Sequence, residues 1–220
     1  MRRTKSESEE TRRRILDAAE TVFLEIGVSM ASLDRIAKEA GVTRGAVYWH
    51  FSDKSEIFTA MVARVHSLHK DLIENGIDDD ESEPFRFIAE RAMGLVHIFE
   101  SNDHARKVYK IIVTRCEYVG NMRGSLEWQR TLFDAMASVF RRAFDFAEQR
   151  HMLHHRWTSQ TASMTFQCFM SGMLTDWLRY DFDETFSKTV RSSVLTLLDS
   201  FRADAEPASR SEVSSLDTAV

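Results

Sequence analysis

Residues 33–51, LDRIAKEAGVTRGAVYWHF, interleave small, apolar and hydrogen-bonding side chains in a pattern suited to contacting a nucleic-acid duplex. Ile36, Ala40, Val42 and Val47 are spaced to share a minicore between two short helices. Ala37 is small where the second helix crosses the first, and Gly41 supplies the positive φ of a tight turn. That leaves Thr43, Arg44, Gly45, Tyr48 and His50 facing outward from the second helix, and Ser32 and Trp49 complete the candidate set. Arg44 suits guanine O6 and N7 or a phosphate, Tyr48 a thymine methyl or a phosphate, and Gly45 lets the helix approach base edges. Lys54 and the start of the helix behind it are expected to hold the phosphate backbone. Arg12, Arg13 and Arg14, with Arg2 and Arg3 ahead of them, are expected to anchor on phosphate or reach a minor groove.

Other reactive side chains form no comparable set. His66 and His69 share one helix face without an Asp, Glu or Cys at ligand spacing, and His151, His154 and His155 fall at a helix end, so no metal is expected. GxSxG, P-loop, HExxH and glycine-rich dinucleotide turns are missing, so neither an enzyme nor a cofactor is expected. Cys116 and Cys168 each sit in an apolar stretch read as helical, and are expected to be reduced core thiols.

The elements that must position these residues are helices. Two prolines and eight glycines in 220 residues leave too few turn formers for a β-sandwich or barrel. Apolar spacing predicts nine helices: Thr11 to Ile26 with Gly27 as its stop, Leu33 to Ala40, Arg44 to Phe51, a long one from the Ser52-Asp53 cap to about Asn75, Pro84 to Ser101, Asp103 to Tyr118, Arg123 to Met152, Ser159 to Tyr180, and Glu184 to Phe201. Gly76 and the acidic run Asp78 to Glu81 mark a loop, and residues 204–220 a frayed tail. The net charge of −5 lies wholly after residue 56, since the first 56 residues carry equal numbers of basic and acidic groups. No stretch of 18 apolar residues exists, so the chain is expected to be cytoplasmic and to have no membrane partner.

Two segments bear on assembly and on a cavity. Ala162, Phe166, Phe169, Met170, Met173 and Trp177, with the small Gly172, cover more than one stripe of their helix, and Phe186, Val190, Val194, Leu197 and Phe201 repeat the need on the last helix. Such helices are either central to a monomer or packed on a second copy. Phe166, Phe169, Met173, Trp177, Val190, Val194, Leu197 and Phe201 are the candidate dimer contacts. Leu132, Phe133, Met136, Val139, Phe140, Ala143 and Phe144 make a broad stripe on the seventh helix. It reads as core, although methionine and phenylalanine are also what an adaptable apolar pocket uses.

Residues 11–58, TRRRILDAAETVFLEIGVSMASLDRIAKEAGVTRGAVYWHFSDKSEIF, resemble the DNA-binding domain of the TetR family, and GVTRGAVYWHF resembles its AcrR-like branch of multidrug-efflux repressors. CEYV and SGMLTDWL are similar to the same branch. The resemblance implies an all-α, nine-helix TetR-type fold: a three-helix helix-turn-helix domain over residues 1–56 and a ligand-binding and dimerisation domain over 57–203. It implies a homodimer on a palindromic double-stranded DNA operator, released by a small hydrophobic ligand. The cavity it implies involves Leu95, Tyr109, Val113, Phe133, Met136, Phe140, Met170 and Ser171, with His66 and His69 at its floor. The function implied is repression of a multidrug-efflux operon; the alternative is a regulator of lipid or other metabolism responding to a metabolite such as an acyl thioester.

Overall fold

A computed structural model describes residues 5–67, 83–118 and 122–203, with Trp128 and Leu132 placed by their backbone alone. His69, the end of the fourth helix after Ser67, the acidic loop, the tail from residue 204, and Arg2 and Arg3 lie outside the described residues. The described residues form nine helices: α1 (Lys5–Met30), α2 (Leu33–Glu39), α3 (Arg44–His50), α4 (Lys54–His66), α5 (Pro84–Ser101), α6 (Asp103–Thr114), α7 (Arg123–Gln149), α8 (Ser159–Arg179) and α9 (Glu184–Phe201). An isolated bridge between Leu153 and Arg202 is the β-type pairing among them. None of these helices is long and apolar enough to cross a membrane.

Side chains written into the sequence close the helix ends. Ser32 Oγ accepts the Arg35 N–H at 3.2 Å, Thr43 Oγ1 the Ala46 N–H at 3.2 Å, and Asp53 Oδ1 the Glu56 N–H at 2.9 Å. These caps start α2, α3 and α4 where orphan backbone donors need acceptors. Asn102 does the same for α6, and Thr158 with Thr161 forms a reciprocal capping box for α8. Between α2 and α3, Gly41 takes φ 63°, and Arg14 Nη2 donates to the Ala40 carbonyl at 2.6 Å, so α1 itself seals the turn.

Several helix ends differ from the sequence reading, among them α7, which stops at Gln149 rather than Met152. α1 begins at Lys5 rather than Thr11: the stretch lacks apolar periodicity, but its Lys, Glu and Arg are strong helix formers, Glu7 complements the first-turn dipole, and Glu10 pairs with Arg13. Gly27 does interrupt α1, with φ 79° and ψ 157°, and a short helical stretch continues to Met30 beyond the kink. α6 ends at Thr114 rather than Tyr118, which frees the Arg115 carbonyl to accept the Val28 N–H at 2.9 Å.

The apolar interior forms two clusters. The first joins Ile15, Ala19, Val22 and Phe23 of α1 to Ile36, Val47 and Phe51, and continues into Ile57, Phe58 and Met61 of α4 and Ala105, Val108 and Ile111 of α6. The core of the helix-turn-helix unit therefore does not part at residue 56. The second gathers Phe85, Ile88, Phe144, Phe166, Trp177, Val194 and Phe201 from α5, α7, α8 and α9.

That second cluster corrects the dimer reading for several residues. Phe166, Trp177, Val194 and Phe201 are fully buried within this one chain, and Met173 and Val190 nearly so, because α8 packs on α7 and α9 through that stripe. They fill the protomer's own core. Of the expected contacts, Phe169 and Leu197 remain only partly covered. The cysteine reading also changes: Cys116 lies in the segment after α6 and is half-buried, whereas Cys168 is exposed on α8.

Candidate nucleic-acid interface and cavity

The outer face of α3 is open. Thr43, Arg44, Gly45, Tyr48 and Trp49 are exposed and His50 is half-buried beside Trp49, with ring centroids 4.5 Å apart. A Cβ added at Gly45 would meet nothing nearer than Thr43 Oγ1 at 4.0 Å, so folding does not require glycine here. Arg44 lies between two elements: its Nε is 3.2 Å from Asp34 on α2, and its Nη2 donates to the Tyr48 hydroxyl at 3.2 Å. Both neighbours raise the Arg44 pKa, the Tyr48 hydrogen bond most. Arg12 is exposed and stacks over Phe51, with its guanidinium carbon 5.1 Å from the ring centroid, at the edge of this surface.

Lys54 and Arg14, both expected at phosphate, are instead engaged inside the chain, Arg14 on the Ala40 carbonyl at the α2–α3 turn. Lys54 Nζ donates to the carbonyls of Val28 at 2.9 Å, Ser29 at 2.7 Å and Ala31 at 3.3 Å. All three ammonium donors thus hold the α1–α2 turn, leaving none for a phosphate. Ser32 is exposed; its hydroxyl oxygen accepts the α2 cap bond, and its O–H is left to donate to a phosphate.

Between α4, α5, α6, α7 and α8 lies a largely apolar cavity of about 150 Å³. His66, Leu95, Tyr109, Phe133 and Met136 line it, as the resemblance implied, with Phe133 half-exposed at its edge. Four expected lining residues do not. Phe140 is buried against Phe166, centroids 5.1 Å apart, and Met170 lies in the same second core. Val113 and Ser171 are exposed on their helices. The sequence reading missed Val62, Val65, Phe99, Ala105, Val108, Ile112, Gln129 and Leu174. Gln129 falls on the same stripe as Phe133 and Met136, four and seven residues on, and that spacing was the available signal.

The polar groups of the cavity are few and oriented. Burial lowers the His66 pKa, which favours a neutral ring able both to donate and to accept. Tyr118 donates to the Ile112 carbonyl at 3.1 Å and accepts from Gln129 Nε2 at 2.7 Å, with burial holding its hydroxyl protonated far above the usual range. The amide carbonyl is the end of Gln129 left for another donor. Burial likewise raises the Tyr109 pKa, and its hydroxyl lies 3.4 Å from Thr175 Oγ1.

α4 joins the cavity to the outer face. Its first residue is Lys54, tied to the α1–α2 turn as described. In its last turn Arg64 donates to Asp17 of α1 at 2.7 Å and to His104 of α6 at 2.9 Å, and His104 in turn contacts the buried Glu20 of α1. Val62, Val65 and His66 of the same helix wall the cavity.

Comparison with known proteins gives one picture across the chain. Residues 15–61 match the model of bacterial regulatory proteins of the tetR family, and residues 83–202 that of the C-terminal region of MAATS-type transcriptional repressors. The HTH-type transcriptional repressor BepR of Brucella suis biovar 1 is 34% identical over 93% of this chain and 98% of its own length. Among solved structures, NalD, the secondary repressor of the MexAB-OprM multidrug efflux pump in Pseudomonas aeruginosa, superposes with a TM-score of 0.79 at 31% identity, covering 90% of this chain and all of NalD. A SmeT–triclosan complex superposes with a TM-score of 0.76 at 28% identity, covering 89% of this chain and 93% of that one.

Proposed function

The chain belongs to the tetR family of bacterial regulatory proteins, and from that premise we propose that it is a cytoplasmic, homodimeric repressor of a multidrug-efflux operon, released from its operator when an apolar small molecule fills the cavity. The observation that carries this reading is the double attachment of α4. One face of the helix walls the cavity, while Lys54 and Arg64 fasten its two ends to the helix-turn-helix unit. A ligand that prefers a shifted α4 therefore changes the separation of the two recognition helices. Lowering operator occupancy a hundredfold takes about 2.7 kcal/mol of differential binding per dimer, which burial of one aromatic ring, worth roughly 3 kcal/mol or more, can supply.

Thr43, Arg44, Gly45, Tyr48, Trp49 and His50 meet the operator in this reading, with Arg12 on its backbone, and a second copy packs on the outer faces of α8 and α9 around Phe169 and Leu197. Two half-sites about one helical turn apart give the selectivity that one short helix lacks. NalD and SmeT, whose names tie them to efflux pumps, favour a drug-like inducer over a metabolite.

Footprinting on the DNA upstream of neighbouring genes, followed by a thermal-shift panel of dyes, antibiotics and acyl compounds, tests the reading. A protected palindrome cleared by a compound that also raises the melting temperature is expected; a compound that binds without changing operator affinity overturns the mechanism. Gly45 supplies a separate check. Gly45→Ala is expected to stabilise the free protein by about 0.5–1 kcal/mol, through helix propensity, while weakening operator binding, through bulk at the groove. Thermal melts and gel-shift titrations of the same preparation measure both signs.

A further inference from the structure

Three backbone carbonyls aimed at one spot repel one another unless a cation stands between them. In the α1–α2 turn the carbonyls of Val28, Ser29 and Ala31 converge on Lys54 Nζ, at 2.9, 2.7 and 3.3 Å, and Lys54 is the first residue of α4. The rest of that helix start is filled by the chain's own carboxylates. Asp53 Oδ1 accepts the Glu56 N–H at 2.9 Å, and Glu56 Oε2 accepts from the Ser52 N–H at 2.7 Å and from its hydroxyl at 2.8 Å. A phosphate placed here would meet two carboxylates and an ammonium whose donors all point inward.

The group that this turn delivers is neutral. Ser32 follows Ala31 directly and is exposed, and its hydroxyl oxygen caps α2 while the O–H stays available to a phosphate oxygen. The Arg115 carbonyl holds the Val28 N–H at 2.9 Å and so fixes one end of the turn, while Lys54 holds the Ala31 carbonyl at the end that leads into α2. We propose that Lys54 is a positioning residue for operator binding: it contacts no phosphate itself, and by gathering these three carbonyls it sets the Ser32 hydroxyl where a phosphate oxygen reaches it. The inference rests on the reading that the helix-turn-helix unit docks on duplex DNA.

The test uses the full chain, a duplex selected from a randomised library by the wild-type protein, and an unrelated duplex of equal length. Each is titrated by fluorescence anisotropy over a salt series, with thermal melts alongside. Ser32→Gly, which leaves a serviceable N-cap, is expected to lose roughly tenfold in affinity for the selected duplex per half-site, as a hydrogen bond to a charged oxygen would. Lys54→Met is expected to lose at least as much, with its salt slope on the unrelated duplex unchanged. Adding Ser32→Gly to it is expected to cost little more, because the hydroxyl is already out of place. Lys54→Arg keeps the charge, but a planar guanidinium cannot replace a point donor among three convergent carbonyls, so it is expected to bind the selected duplex as weakly as Lys54→Met.

A salt slope that falls by about 0.9 per half-site in Lys54→Met and returns in Lys54→Arg makes Lys54 a phosphate contact and overturns the proposal. A Lys54→Met protein that melts lower yet binds the selected duplex like the wild type overturns it too, as do losses from Lys54→Met and Ser32→Gly that add in full. Should Lys54→Met not fold, Lys54→Arg takes its place in the same cycle with Ser32→Gly. Arg44→Ala is titrated beside them. If it and Ser32→Gly both keep the wild-type preference for the selected duplex, the docking of the helix-turn-helix unit has failed; if Arg44→Ala loses the preference and Ser32→Gly binds like the wild type, only the role given to Lys54 has failed.

Discussion

Arg44→Ala combined with Tyr48→Ala is expected to remove specific operator binding and leave the fold standing. Both side chains are exposed, and the residue between them that holds α3 to the core, Val47, is fully buried and untouched. A good bidentate base contact is worth about 1–3 kcal/mol, and a dimer makes it twice, so the loss is about 2–6 kcal/mol, or roughly 30-fold to 10⁴-fold in affinity. Residual binding to any duplex should persist, because the phosphate contacts, Arg12 among them, are unchanged. It should weaken steeply with salt, as counterion release requires. Fluorescence-anisotropy titrations on operator and unrelated duplexes, with thermal melts alongside, measure the outcome. A double variant that still discriminates the operator shows that another surface reads it.

Much of this interface is legible from residue types because its constraints are local. Ser32, Thr43 and Asp53 cap the helices they precede, and Gly41 takes the positive φ that the short α2–α3 turn demands. Lys54 is a different case. Its three partners are backbone carbonyls of residues 28, 29 and 31; the sequence marks the break at Gly27, but no side-chain pattern reports where the carbonyls after it point. A lysine at the start of a helix looks the same whether it waits for a phosphate or closes a turn.

The two apolar helices at the end of the chain fail for another reason. A stripe that is buried carries no mark of what buries it, so Phe166, Trp177 and Val194, which serve the protomer's own core, cannot be told by type from Phe169 and Leu197 on its margin. The cavity raises the same difficulty along one helix. α7 runs for 27 residues, about 40 Å at 1.5 Å per residue, and crosses from one packing environment to another. Phe133 and Phe140 share a stripe seven residues apart, yet the first edges the cavity and the second is sealed against Phe166. Periodicity identifies the face of a helix, and only the packing of the neighbouring helices decides which part of that face stays open.

Arg64→Ala is expected to loosen the link between cavity and operator while leaving the cavity intact. Arg64 donates to Asp17 at 2.7 Å and to His104 at 2.9 Å, and its Nη2 lies 3.7 Å from Glu20, whose side chain is 8% exposed. Removing the guanidinium leaves Glu20 with His104 alone and is expected to cost about 1–3 kcal/mol of stability, read as a lower melting temperature. Arg64 is not among the cavity-lining residues, so the inducer found in the thermal-shift panel should bind the variant with little change. What falls is the coupling: a hundredfold loss of operator affinity on inducer binding becomes tenfold or less, a change of about 1.4 kcal/mol. Arg64→Lys keeps a charge but cannot serve Asp17, Glu20 and His104 in one plane, and is expected to fall between. Because coupling between two binding sites is reciprocal, the factor can be measured from either side, as operator affinity with and without inducer or as inducer affinity with and without operator. Were Arg64→Ala to keep hundredfold coupling by both routes, α4 would transmit its shift through Lys54 and the shared core, and the cluster around Arg64 would be a fastener alone.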